Sequence, residues 1–232
     1  MTYCVSDLHG CVDKYRLLLE KINLQPNDTL YVLGDCVDRG EHGIEILLDI
    51  AERKNVVLLM GNHDYIADAL LRYLGDPLPG HVDKKAVDSM FRNWFTDGGG
   101  PTYREYRLLS KKEKAKVHDL IYSARYHLEI VVAGKKFHLS HTLPTRRLWK
   151  QEHKHEGFLS SIAFIEGEPE YDGVYDESMF FLTGHVPTGL IDPDSQGRIW
   201  KKNHHIAIDC GAVFGNPLGC ICLDTMEEIY IH

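Results

Sequence analysis

Three short segments constrain this chain more than anything else in it: Ser6-Asp7-Leu8-His9-Gly10, Gly34-Asp35-Cys36-Val37-Asp38-Arg39-Gly40 and Gly61-Asn62-His63-Asp64. Each follows a short apolar run of strand type, Thr2–Ser6, Thr29–Leu33 and Val56–Met60. Helical patterning fills the intervals, over Val12–Ile22 (Tyr15, Leu18, Leu19 and Ile22 at helical spacing), Gly43–Arg53 and Asp64–Leu74. Strands alternating with helices predict a parallel sheet with right-handed crossovers. The polar segments then fall at the carboxyl ends of neighbouring strands, where open α/β sheets bind ligands.

From Gly75 the alternation breaks. Asp76–Gly80 and Gly98–Pro101 read as turns, and helices are expected over Lys84–Phe95 and Ser110–Tyr122. Together they read as a helical insertion near 75–125 on the same domain. Ala133-Gly134 separates His127–Val132 from Lys135–Ser140, the pattern of a hairpin. After a polar stretch at 142–178, expected to be loop with one helix, come five short strand-like runs: Met179–Leu182, Arg198–Trp200, Ile206–Asp209, Gly219–Asp224 and Glu228–Ile231. The expectation is one α/β domain over 1–232, a sandwich of two mixed sheets flanked by helices.

A net charge of −8 argues against a nucleic-acid binder, whose footprint is normally basic. No apolar stretch approaches the roughly 20 residues of a membrane helix, and no basic-then-apolar leader precedes the first strand, so a cytoplasmic protein without a membrane partner is expected. Cys4, Cys11, Cys36, Cys210, Cys220 and Cys222 form no C-x-x-C pair and read as free thiols. None begins a C-x5-R signature, which argues against a thiolate phosphatase mechanism.

The chemistry lies in the order of the polar residues. Asp7 and His9 alternate on one strand end, so both can face one ion across Leu8. Asp35 offers two oxygens, enough to bridge two ions, and Asn62 adds a neutral oxygen. His141 and His185 each follow an apolar run. Carboxylate and imidazole without thiolate suit hard-to-borderline divalent cations, and the six side chains can hold two of them about 3.5–4 Å apart. Any one member is more simply a cap or a core histidine; the ordered set is specific.

With these motifs the chain resembles the calcineurin-like metallophosphoesterase superfamily, and within it the phosphoprotein phosphatase branch, which includes bacterial and phage serine/threonine phosphatases and the symmetrical diadenosine tetraphosphatases. The resemblance runs from Asp7 to Ile208–Gly215. It implies the four-layer αββα sandwich, one metal site of Asp7, His9 and Asp35, and a second of Asp35, Asn62, His141 and His185. It implies two divalent ions per chain with Mn²⁺ activation, often with Fe or Zn in one site. It also implies that His63 is the general acid, that Asp38 orients it, and that Arg39 grips phosphate with its planar fork.

A second phosphate-binding arginine is typical of the branch, and Arg146 and Arg147 are the candidates. His141 is followed by Thr142-Leu143-Pro144 where the family usually has small residues, and Pro187 stands where nuclease branches carry a second histidine. Trp94–Thr102 is similar to the family's W-x-x-N-G-G-x-x-T stretch and reads first as a helix end closed by glycine, second as a rim of the cleft. The reading that follows is a serine/threonine protein phosphatase using direct attack of metal-activated water. The alternative is a symmetrical bis(5'-nucleosyl)-tetraphosphatase or other nucleotide pyrophosphohydrolase. The expected partner is a phosphoprotein, small phosphoester or nucleotide, and the chain a monomer by default.

Overall fold

β1 (Thr2–Val5), β2 (Thr29–Val32) and β3 (Val56–Leu58) run parallel, linked by α1 (Val12–Ile22) and α2 (Gly43–Glu52). This is a computed structural model, and it describes residues 1–73, 83–152 and 161–232. α3 occupies Asn62–Leu71, starting two residues earlier than its apolar pattern, because Gly61 is extended and Asn62 already turns helical. The turn expected at Asp76–Gly80 lies outside the described residues. α4 (Lys84–Thr96) and α6 (Lys111–Ser123) follow their patterns closely, and Ser110 and Glu113 close a capping box on α6.

Between them lies α5 (Gly100–Leu108), where a turn was expected. Pro101 is tolerated there because a first-turn residue has no intrahelical N–H bond to lose. The hairpin β4 (His127–Val132) and β5 (Lys135–Ser140) has the expected limits. α7 (Arg146–Glu152) follows, then β6 (Phe180–Thr183), β7 (Trp200–Lys202), β8 (His205–Ala207), β9 (Leu218–Cys222) and β10 (Glu228–Ile231).

The strands form two mixed five-stranded sheets, ordered β10-β9-β1-β2-β3 and β4-β5-β6-β8-β7. Alternation along the strands explains how they stack. Tyr3, Val5, Leu30 and Val32 bury against the helices, whereas Cys4 and Leu33 turn the other way into a cluster with Phe137, Leu139, Leu182 and Ile206 of the second sheet. On the far face of that second sheet Phe181 meets Trp149, Phe164 and Tyr175. This is the α/β sandwich the pattern predicts. All six cysteines are free, five of them buried.

Candidate metal and phosphate site

The loops after β1 and β2 zip together through backbone hydrogen bonds. Asp7 N–H donates to Gly34 O (3.1 Å), His9 N–H to Asp35 O (2.9 Å), Gly10 N–H to Cys36 O (2.9 Å) and Gly40 N–H to His9 O (3.1 Å). The price is local strain: Asp7, His9, Asp35, Asp38, Arg39 and His185 all have φ between 38° and 69°. Non-glycine residues enter that left-handed region at a cost of about 1 kcal/mol or more each. Strain gathered on six candidate site residues marks this as the place where backbone preference yields to side-chain placement. Two glycines make room. A Cβ on Gly61 would lie 2.2 Å from Asp35 Oδ1, and one on Gly184 would lie 2.1 Å from Asp7 Oδ2.

Asp35 is the hub. Its Oδ2 lies 3.6 Å from His9 Nε2 and 3.3 Å from His141 Nε2. His9 Nδ1 pairs with Val37 O and His141 Nδ1 with Leu33 O, both at 2.8 Å. A carbonyl only accepts, so each Nδ1 carries the proton in those bonds, and in the neutral ring Nε2 is the lone pair turned toward Asp35. Asn62 Oδ1 stands 2.9 Å from His141 Nε2 and 3.2 Å from His185 Nδ1. Two donor groups result, His9–Asp35–His63 and Asp35–His141–His185, each with its ligand atoms within 4.8 Å of one another. Asp7 stands close by, its Oδ2 accepting the His185 backbone N–H at 3.0 Å.

The electrostatics call for cations. Asp7, Asp35 and Asp209 are buried together with Asp64, whose oxygens accept the backbone N–H of Asp35 (2.8 Å) and Cys36 (3.0 Å). Burial, reinforced by neighbouring carboxylates, raises Asp7 and Asp209 and pushes Asp64 up to about 7. Burial also opposes the charge of Asp35, but His141, His9 and His63 hold it well below the usual carboxylate range. Burial lowers His141 as well, yet the carboxylates of Asp35 and Asp7 outweigh it and push it up to about 10. Burial takes His9 down to about 3 and His185 to about 4, so both rings are neutral donors at pH 7. Clustered buried carboxylates beside the neutral imidazoles of His9 and His185 fit divalent cations, which would take the place of the proton His141 holds against Asp35.

The second half of the site is built around Asp38, which is fully buried. Its Oδ2 accepts from His63 Nδ1 and from Trp94 Nε1, each at 2.8 Å, and its Oδ1 accepts from Thr102 Oγ1 at 2.7 Å. Burial lowers His63, but the Asp38 bond and the Asp35 charge prevail and its pKa is raised. The Arg39 guanidinium reaches both imidazoles, hydrogen-bonding His9 Nε2 through NH1 and lying 2.8 Å from His63 Nε2 through NH2. Asp97 and Phe214 line the same opening, with Arg39 Cζ 5.7 Å from the Phe214 ring centroid.

Arg146 is turned to Asp172 (2.8 Å) and Glu170 (3.6 Å), and Arg147 is exposed; neither forms an ion pair with Asp7, Asp35 or Asp38. The segment ends α4 at a glycine, Gly98 at φ 102° just past Asp97, and in addition Trp94 and Thr102 hold Asp38. Sequence reasoning passed over Asp64, Trp94, Asp97, Thr102, Asp209 and Phe214 as site residues. The D of G-N-H-D and the W and T of the glycine-rich stretch were the available signals.

The profile of the calcineurin-like phosphoesterases matches residues 2–208. The chain belongs to that family. Its two carboxylate–imidazole groups could each hold a metal ion. Among curated proteins, the symmetrical bis(5'-nucleosyl)-tetraphosphatase of Glaesserella parasuis serovar 5 is 49% identical over 94 residues, covering 39% of this chain and 32% of that protein. The match thus spans about a third of that relative's length. Among solved structures, a candidate diadenosine tetraphosphatase superposes with TM-score 0.61 at 14% identity, covering 99% of this chain and 92% of that one. A serine/threonine protein phosphatase from Saccharomyces cerevisiae gives 0.58 at 14%, covering 99% and 78%. At such identity these two show the fold alone. No helix among the described residues is long and apolar enough to cross a membrane.

Proposed function

We propose that this phosphoesterase hydrolyses the phosphoanhydride bridge of dinucleoside polyphosphates, with Arg39 as the phosphate fork and His63 as the acid for the leaving oxygen. The observation that carries the substrate class is the 49% identity over 94 residues to an enzyme named for that substrate. It reverses the order in which the motifs alone rank the substrates, where a phosphoprotein came first. Phe214 supports the same reading. It is 62% exposed beside Arg39, on a short turn flanked by Gly211 and Gly215 at φ 80° and 87°, and it offers a nucleobase a stacking face next to the phosphate fork.

Asp7, His9, Asp35, Asn62, His141 and His185 would hold two divalent ions, which supply charge neutralisation and water of lowered pKa. The rest is the work of the chain. Arg39 turns its two terminal nitrogens onto two phosphate oxygens and so fixes phosphorus in line for attack. His63, its Nδ1 held by Asp38, presents Nε2 to the leaving oxygen and protonates it as the bridge breaks. Trp94 and Thr102 keep Asp38 in place.

The test is a panel with Mn²⁺ of diadenosine tetraphosphate, a phosphoserine peptide and p-nitrophenyl phosphate. The expected result is the highest kcat/KM on diadenosine tetraphosphate, with two ADP released per molecule. A phosphopeptide preferred tenfold or more would return the chain to the protein phosphatases.

A further inference from the structure

The Asp97 carboxylate stands at the mouth of the site with no structural task in view. Its Oδ1 lies 3.7 Å from Arg39 NH2 and its Oδ2 lies 3.6 Å from His63 Nε2, and the side chain is 60% exposed. Among the described residues it has no other side-chain partner. Its place in the fold is electrostatically poor, because it caps the C-terminus of α4, where the helix dipole already presents partial negative charge. An acidic residue there weakens the helix rather than supporting it.

The backbone around it is nevertheless fixed. Arg39 N–H donates to Gly98 O at 2.8 Å, and Gly99 N–H donates to Trp94 O at 2.9 Å. Gly98 has φ 102°, and a Cβ on it would lie 2.8 Å from Arg39 Cγ, so only glycine lets the corner press against the arginine. Asp97 is thus carried by a rigid corner to the two groups that meet the phosphate.

We propose that Asp97 is a specificity-determining residue, a fixed negative charge that selects singly charged bridging phosphates over the doubly charged phosphate of a monoester. A phosphate gripped by Arg39 lies within a few ångströms of this carboxylate. Both substrate types meet repulsion there, but a monoester above its second pKa, near 6, meets roughly twice as much. For an exposed carboxylate about 5 Å away, screened almost as in water, the difference is about fivefold in binding. The internal phosphates of a dinucleoside polyphosphate each carry one charge, so the filter deepens the proposed substrate class. It rests on that reading only in taking Arg39 as the phosphate fork.

The experiment compares p-nitrophenyl phosphate with bis(p-nitrophenyl) phosphate near pH 8 with Mn²⁺, because the two share a leaving group and differ in charge. In Asp97→Asn the monoester kcat/KM should rise about fivefold relative to the diester, through KM, with metal content unchanged. Asp97→Glu should keep the wild-type ratio. Added salt should shift the ratio of the two substrates in Asp97→Asn toward the diester, and should do so less or not at all in the wild type, where screening of Asp97 opposes it. A ratio unchanged in Asp97→Asn overturns the proposal. So does an equal fall in kcat for both substrates, which would make Asp97 a positioning group for His63. Wild-type enzyme that hydrolyses neither of these esters nor diadenosine tetraphosphate with Mn²⁺ would instead sink the proposed function itself.

Discussion

Trp94 donates its indole N–H to Asp38 Oδ2 at 2.8 Å, the same oxygen that receives His63 Nδ1. The carboxylate is buried, with Thr102 on its other oxygen, so its orientation is set by three donors at once. Removing one donor frees the carboxylate to turn and takes His63 with it.

Trp94→Phe should therefore lower kcat tenfold or more, the effect of a lost hydrogen bond of about 1.5 kcal/mol or more to a charged group. The ring packs against Phe91 and Phe95, and phenylalanine preserves most of that contact. KM and metal content should stay as they are. A drop in bound metal, measured by elemental analysis, would show that Trp94 supports the donor groups and not the acid.

Asp35→Asn should cripple both donor groups together, because Asp35 is common to them. Metal content is expected to fall below one ion per chain, and activity to vanish. Two ions at full occupancy in the mutant would rule out a shared ligand.

The first 71 residues were legible because their periodicity and their polar residues are contiguous. A strand of alternating buried residues ends in a D-x-H or G-D, and the next helix begins within a few positions. The strands after the hairpin, β6 to β10, are three to five residues long, and their limits are set by partners. Phe181 pairs with His205 and Leu182 with Ile206, so β6 spans Phe180–Thr183 and not Met179–Leu182, and β7 begins at Trp200. The support for Asp38 was hidden for the same reason. Trp94 and Thr102 stand 56 and 64 residues away from it, and no local pattern carries that pairing. Arg146 looked as able to bind phosphate as to pair with carboxylates until folding brought Glu170 and Asp172 against it.

His205 sets an acid limit on stability. It is almost fully buried, with Nε2 on Thr183 Oγ1 at 2.8 Å and Nδ1 without a hydrogen-bond partner among the described residues, and burial drives its pKa down to about 3. The unfolded chain takes up this proton near 6.5, and the folded one only near 3. Between those values the unfolded state binds more protons, so stability is full above about pH 6.5 and is lost as pH falls toward 3. The slope from this group approaches about 1.4 kcal/mol per pH unit within the window. His205→Asn, which keeps a side chain able to bond Thr183, should show a shallower fall in urea midpoint between pH 7 and 5 than the wild type. Identical slopes would mean that other groups set the acid limit.

His63→Asn separates proton chemistry from metal binding. His63 Nε2 lies near both Arg39 and the donors around Asp35, so its position allows two roles: acid for the leaving oxygen, or ligand beside His9 and Asp35. The Asp38 contact favours the acid, because a carboxylate on Nδ1 stabilises the protonated ring, and the pKa of His63 is raised accordingly. An acid matters in proportion to the basicity of what it protonates. The mutant should therefore lose roughly 10²–10⁴-fold on an alkyl phosphate and far less on an aryl phosphate with a good leaving group. Asp38→Asn should follow the same trend more weakly, since it acts only through His63. Metal content is the deciding readout. With both ions retained and the loss graded by leaving group, His63 is the acid. With ions lost and all substrates slowed equally, it is a ligand.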